Sequence, residues 1–153
     1  MIIRKATLED TDSLIPLYNG SLRQMTQLQP RQYQEVPQDV EFVQQGILSE
    51  DGDVLVAEDA GKIIGLASVF VQETKPYPFR VQHKWCDLDT LYVDENHRRK
   101  GVGTALFQAA WQWAMQRELS SLQLMTLGEN ANAQRFYERM GMKELRLMYI
   151  LEP

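Results

Sequence analysis

Arg98, Arg99 and Lys100 stand together immediately before Gly101 and Gly103, and the stretch HRRKGVGTALFQAAWQW, residues 97 to 113, runs from that basic turn straight into an amphipathic helical pattern. Glycines let the backbone turn tightly and leave its N–H groups uncovered. A helix N-terminus adds partial positive charge, so the arrangement suits a phosphate. Upstream, Asp87 and Asp89 lie in WCDLDTLYV, residues 85 to 93, which reads as a strand. Period-two alternation puts Asp87, Asp89, Leu91 and Val93 on one face and Cys86, Leu88, Thr90 and Tyr92 on the other. Two carboxylates on one strand face can take up a proton, face solvent or pair with a cation.

The elements that must hold these groups follow from periodicity. Residues 2 to 6 read as a strand; Thr7 with Asp10 resembles a capping box opening a helix through Leu14, Leu17 and Tyr18, in which Pro16 implies a kink or a late start. The Gln-rich stretch 23 to 38, broken by Pro30 and Pro37, is in part a loop. A second helix is expected from Asp39 to Leu48, then a hairpin turning at Asp59-Ala60-Gly61-Lys62 whose second strand is long and central. The segment holding Pro76 and Pro78 is a connection. After the strand at 85 to 93 come a helix ending near Arg117, a strand LQLMTL at 122 to 127, a short helix NANAQRFYERMG closed by Gly141, and a last strand KELRLMYIL. The order predicts a mixed α/β sheet with a helical crossover between parallel strands.

Length and composition narrow the class. A chain of 153 residues, 44% hydrophobic and 24% charged, fits one globular domain over residues 1–153. The formal net charge of −5 argues against a nucleic-acid binder and makes the basic run a local exception. The single Cys86 forms no internal disulfide, and no CxxC or Cys/His cluster offers a metal site, so no metal is expected and a reducing compartment fits. The N-terminal stretch lacks the apolar core of a signal peptide and no apolar run has membrane-spanning length, so the expectation is a cytoplasmic protein with no membrane partner.

The glycine turn is not a Walker A loop, because no G-x-x-x-x-G-K-[ST] occurs, and Thr104, Ala105 and Leu106 stand where a dinucleotide fingerprint has its third glycine. It matches R-x-x-G-x-G, Arg98 to Gly103, and is followed by N-x-x-A-x-x-F-Y, Asn130 to Tyr137. With this element order, the two blocks resemble the GNAT superfamily of acetyl-CoA-dependent N-acetyltransferases across essentially the whole chain. The resemblance implies a mostly antiparallel, twisted sheet of six to seven strands flanked by about four helices. It implies that Arg98, Arg99, Gly101, Val102, Gly103 and Thr104 bind the coenzyme A pyrophosphate. The Leu91 N–H would serve the oxyanion, Val93 would pair with the pantetheine arm, and Asn130 would hydrogen-bond it while also capping its helix. Asp87 or Asp89 would act as base, directly or through water, and Tyr137 as general acid toward the thiolate.

Acetyl transfer from acetyl-CoA to a small-molecule or peptide amine through a ternary complex is the expected reaction. A non-catalytic acyl-CoA-binding sensor is the alternative. His97 reads as a surface group beside the phosphates, and Cys86, on the strand face opposite Asp87, as no nucleophile. The acceptor would meet residues 22 to 36 and 75 to 84, where Tyr33, Tyr77, Phe79 and the adjoining Trp85 either line a pocket or form a homodimer contact.

Overall fold

A computed structural model describes residues 1–153. Strand β1, Ile2–Lys5, leads through a 3-10 turn into helix α1, Thr11–Leu28, and then α2, Val40–Ile47. Helix α1 starts after Asp10, whose carboxylate accepts the Thr7 N–H at 2.8 Å. Pro16 nonetheless lies inside the helix, so the start is not delayed to it, and α1 runs on well into the Gln-rich stretch expected to be partly loop. Asp39 caps α2 by accepting from the Phe42 N–H at 2.8 Å.

Strands β2, Gly52–Asp59, and β3, Lys62–Glu73, form the expected hairpin. Ala60 and Gly61 at its turn both have positive φ, the conformation that matches strand twist in a two-residue loop. Strand β4, Lys84–Val93, follows, then α3, Val102–Gln116, β5, Leu122–Gln123, and α4, Ala131–Arg139. The sheet order is β1-β2-β3-β4-β5, antiparallel except for the parallel β4/β5 pair, with β3 in the middle.

Apolar faces fix the layers. Val102, Leu106, Phe107, Ala110, Trp113 and Ala114 of α3 bury against Leu55, Ala67, Val69, Cys86 and Leu88 on one side of the sheet. Leu14, Leu17 and Tyr18 of α1 and Val43 of α2 bury against Val54, Val56, Leu66 and Tyr92 on the other. Gly20 of α1 lies against the Tyr92 ring, where an added Cβ would collide. No helix is long and apolar enough to cross a membrane.

Two expectations fail, and the sheet has five strands instead of six to seven. LQLMTL pairs with β4 only through Cys86↔Leu122 and Asp87↔Gln123, because the two strands part beyond that point. KELRLMYIL alternates as a strand should, yet residues 143 to 151 join no sheet, since strand propensity is expressed only where a neighbouring edge is engaged.

Candidate active site

The basic turn is built as an open nest of amides. Arg99 and Gly101 have φ of 62° and 81°, the left-handed conformation that glycine adopts without strain. Gly101 is the N-cap of α3 and offers no side chain to the helix end. The first α3 amide to find an acceptor is that of Ala105, which donates to the Gly101 carbonyl; the N–H groups of Arg99, Lys100, Gly101, Val102, Gly103 and Thr104 bond to nothing within the chain. A helix start with orphan donors favours an anion.

The side chains of the run divide their work. Arg98 Nε donates to the Val93 carbonyl at 3.0 Å and its guanidinium lies 5.2 Å from the Tyr92 ring centre, so Arg98 braces the turn against the end of β4. Lys100 Nζ donates to the Asn96 carbonyl, and His97 pairs with Asp94, whose carboxylate is held below its ordinary range chiefly by that contact. Arg99 is exposed and has no side-chain partner, free to meet a ligand. Beside the turn, Gly20, Arg23, Gln24, Gln27 and Leu28 of α1 with Glu95 and Arg98 line a cleft of about 240 Å³.

Strand β4 corrects the alternation expected for its side chains. Val69 pairs with Leu88 and Ser68 with Thr90, which leaves Asp89 as the extra residue of a bulge. The bulge flips the pleat, so Leu91 and Val93 pack on the α3 side with Cys86 and Leu88, and Tyr92 packs on the α1 side. Asp87 is thus on the face opposite Leu91 and Val93. Burial, then the charge of Asp89, pushes the Asp87 carboxyl above its ordinary range. Across from the bulge, the Tyr18 hydroxyl and Ser68 Oγ hydrogen-bond at 2.6 Å in the core. Burial raises the Tyr18 phenol, the Ser68 bond opposes the rise, and the Asp89 charge adds to it. From Leu88 to Val93 the outer side of β4 has no strand neighbour.

Helix α4 packs beside the start of α3. Asn130 Oδ1 accepts from the Ala133 N–H at 3.2 Å, which fulfils the capping role. Phe136 meets Phe107 edge-on at 6.1 Å, and an added Cβ on Gly103 would sit 3.8 Å from both the Phe136 ring and Val93, so α4, the start of α3 and the end of β4 converge. Tyr137 follows, half-buried, its ring 6.3 Å from that of Phe107 and its hydroxyl without a partner in the chain. Burial pushes its phenol up to about 12. Cys86 is fully buried and its thiol is likewise pushed up to about 12, which leaves it inert.

A family model described as "Acetyltransferase (GNAT) family" matches residues 17–142. The chain belongs to this family. An uncharacterized N-acetyltransferase of Bacillus subtilis, YhfO, is 28% identical over 144 residues, covering 94% of this chain and 91% of its own length. Among solved structures, a tetramutant of the BH1408 protein from Bacillus halodurans superposes with a TM-score of 0.94 at 25% identity, with full coverage of both chains. The aminoglycoside N-acetyltransferase AAC(6')-Iy, solved in complex with CoA, shares the fold with a TM-score of 0.71 at 16% identity over 99% of each chain. The protein is an acetyl-CoA-dependent acetyltransferase.

In this acetyltransferase the start of α3, the end of β4 and the Phe136–Tyr137 pair of α4 lie side by side, whereas Asp87 and Asp89 lie toward α1. Tyr77 and Phe79 stack 5.6 Å apart in the β3–β4 connection, and Trp85 sits against His83. Reading by residue type missed the Tyr18–Ser68 pair. Ser68 in an otherwise apolar strand run was the available signal, because a buried hydroxyl needs a partner from another element.

Proposed function

We propose that this acetyltransferase moves an acetyl group from acetyl-CoA to a primary amine by direct attack within a ternary complex. The observation that carries the reading is the run of unpaired amides from Arg99 to Thr104 beside the unpaired edge of β4. The donor set fits a diphosphate: backbone N–H groups at a helix start, an unengaged Arg99, and Gly103, where only ordinary contacts lie within reach of an added Cβ. Acetyl-CoA supplies the activated thioester when bound.

The chain's own groups would do the rest. The free edge at Leu91 and Val93 is suited to pair an extended pantetheine arm, with the Leu91 N–H serving the carbonyl oxygen as charge develops. Asp87, made more basic by burial and by Asp89, would take the amine proton directly or through water. The new C–N bond forms as the C–S bond breaks, and Tyr137 would hand its proton to the leaving sulfur. Asn130 has its Oδ1 in the helix cap and its amide N–H groups available to the donor. An acidic chain with carboxylates toward α1 favours a cationic acceptor.

The test is thermal stabilisation by acetyl-CoA against ATP and NAD, followed by thiol release with an amine panel. Acetyl-CoA at a hundred times its Kd should add about 2.7 kcal/mol of stability, with ATP and NAD adding little. A shift with ATP or NAD and none with millimolar acetyl-CoA would reject the reading, and binding without thiol release across the panel would leave only a sensor.

A further inference from the structure

We propose that the connection between β3 and β4, residues 74–83, is a docking site for an acidic peptide segment that also carries aromatic or aliphatic side chains. The loop exposes what a chain ordinarily hides. Phe79 is 81% and Val81 82% exposed, and the exposed Tyr77 stacks on Phe79 with ring centres 5.6 Å apart and planes 1° from parallel. The rings cover each other on one side and leave an apolar patch in water, the kind of surface that marks an interaction site.

The patch is held out by the loop's own bonds. The Arg80 N–H donates to the Tyr77 carbonyl at 2.9 Å, and the Gln82 side-chain amide donates to the carbonyls of Lys75 and Arg80 at 3.3 and 3.2 Å. At the base, the Thr74 N–H donates to the His83 carbonyl at 3.0 Å, and the buried Thr74 hydroxyl lies 3.1 Å from His83 Nδ1. Pro76 and Pro78 fix two further φ angles. A surface preformed in this way loses little conformational entropy when a partner covers it.

Charge selects the partner. Residues 74–86 carry Lys75, Arg80, His83 and Lys84 and no acidic side chain, in a chain of net charge −5. Lys84 pairs with Glu73 at 3.7 Å, which leaves Lys75 and Arg80 without a carboxylate partner. The backbone N–H groups of Phe79, Val81 and Gln82 are also unbonded, donors that a peptide's carbonyls or carboxylates would satisfy and a lipid interior would not. An extended polyanion would meet the repulsion of the whole chain, whereas a short acidic segment meets only the loop. The loop precedes β4 and the basic turn follows it, so the two cationic features stand at opposite ends of that strand, and the inference does not rest on the transfer reaction.

Fluorescence anisotropy of the full chain with labelled peptides that alternate two glutamates with one phenylalanine, tyrosine or leucine reads the interaction. At least one should bind in the presence of saturating acetyl-CoA, its lysine-for-glutamate counterpart should not, and affinity should fall as salt rises. Phe79→Ser and Lys75→Glu should each raise Kd about tenfold while leaving circular dichroism and melting temperature unchanged, since both side chains stand in water. No binding across the panel overturns the proposal, as does binding that either variant retains in full. Phe79-dependent capture by phosphatidylserine vesicles or poly(dT), or Phe79-dependent self-association, without peptide binding would overturn it in favour of a lipid, a nucleic acid or a second copy.

Discussion

Tyr137 carries a hydroxyl with no acceptor inside the chain, on a ring wedged beside Phe107 and Phe136, and burial holds it protonated well above neutral pH. It can therefore give a proton but not take one in the resting protein. Tyr137→Phe should lower kcat by roughly 10²–10⁴, the usual worth of a general acid. Because no internal hydrogen bond is lost, stability should stay within about 0.5 kcal/mol, as measured by calorimetry beside single-turnover kinetics. Wild-type turnover in that variant would remove Tyr137 from the mechanism. At Asp10 a carboxylate does structural work. It accepts both Arg4 terminal nitrogens, at 2.7 and 2.9 Å, and the Thr7 N–H, joining β1 to the start of α1. The Arg4 bonds hold its carboxyl down at about 2, against an ordinary 3.8. A depressed folded-state value adds stability that is fully present above pH 3.8 and is lost as pH falls toward 2. The difference is worth roughly 2 kcal/mol. Urea midpoints of the wild type and Asp10→Asn should differ at neutral pH and converge near pH 2; a constant gap would show that the ion pair is not the cause.

The basic turn illustrates how one element carries two demands. Gly103 sits in the first turn of α3 with no positive φ, and a Cβ there would meet only ordinary contacts with Phe136 and Val93. The fold alone would accept alanine, and a helical Gly→Ala replacement adds up to about 1 kcal/mol. Gly103→Ala should raise the melting temperature while weakening acetyl-CoA binding, opposite signs that thermal melts with and without ligand would reveal. If affinity holds, this glycine does not admit the ligand. The same element shows what could be read in advance. The turn, its helix and the Asn130 cap were legible because their signals are local: basic residues and glycines before a 3.6-residue apolar period, and a side-chain acceptor before a helix. The β4 face was not, because the bulge at Asp89 arises from pairing with β3, and nothing within WCDLDTLYV marks the extra residue. Residues 143 to 151 alternate as a strand should but join no sheet, because period alone cannot say whether an edge will receive them.

Across the whole molecule, β3 and β4 are shared by two cores of unequal size: the α3 side buries fifteen residues and the α1–α2 side nine. Local opening should follow that asymmetry, so the amides of α2, held through Val43 and few other buried groups, should exchange with deuterium before those of β2, β3 and α3. The basic turn and α4 stand on the larger side, with Tyr18, Asp87 and Asp89 toward the smaller. A ligand seated along the β4 edge and in the amide nest would close hydrogen bonds on donors that the chain leaves open. Acetyl-CoA should therefore slow exchange at residues 99 to 104 and along the outer side of β4, while α2, which borders neither, keeps its apo rate. Desulfo-CoA should protect the turn equally, because it retains the pyrophosphate. Hydrogen exchange by mass spectrometry reads all three segments in one experiment. Protection spread evenly over both cores would mean that the ligand acts by global stabilisation instead of by filling the nest.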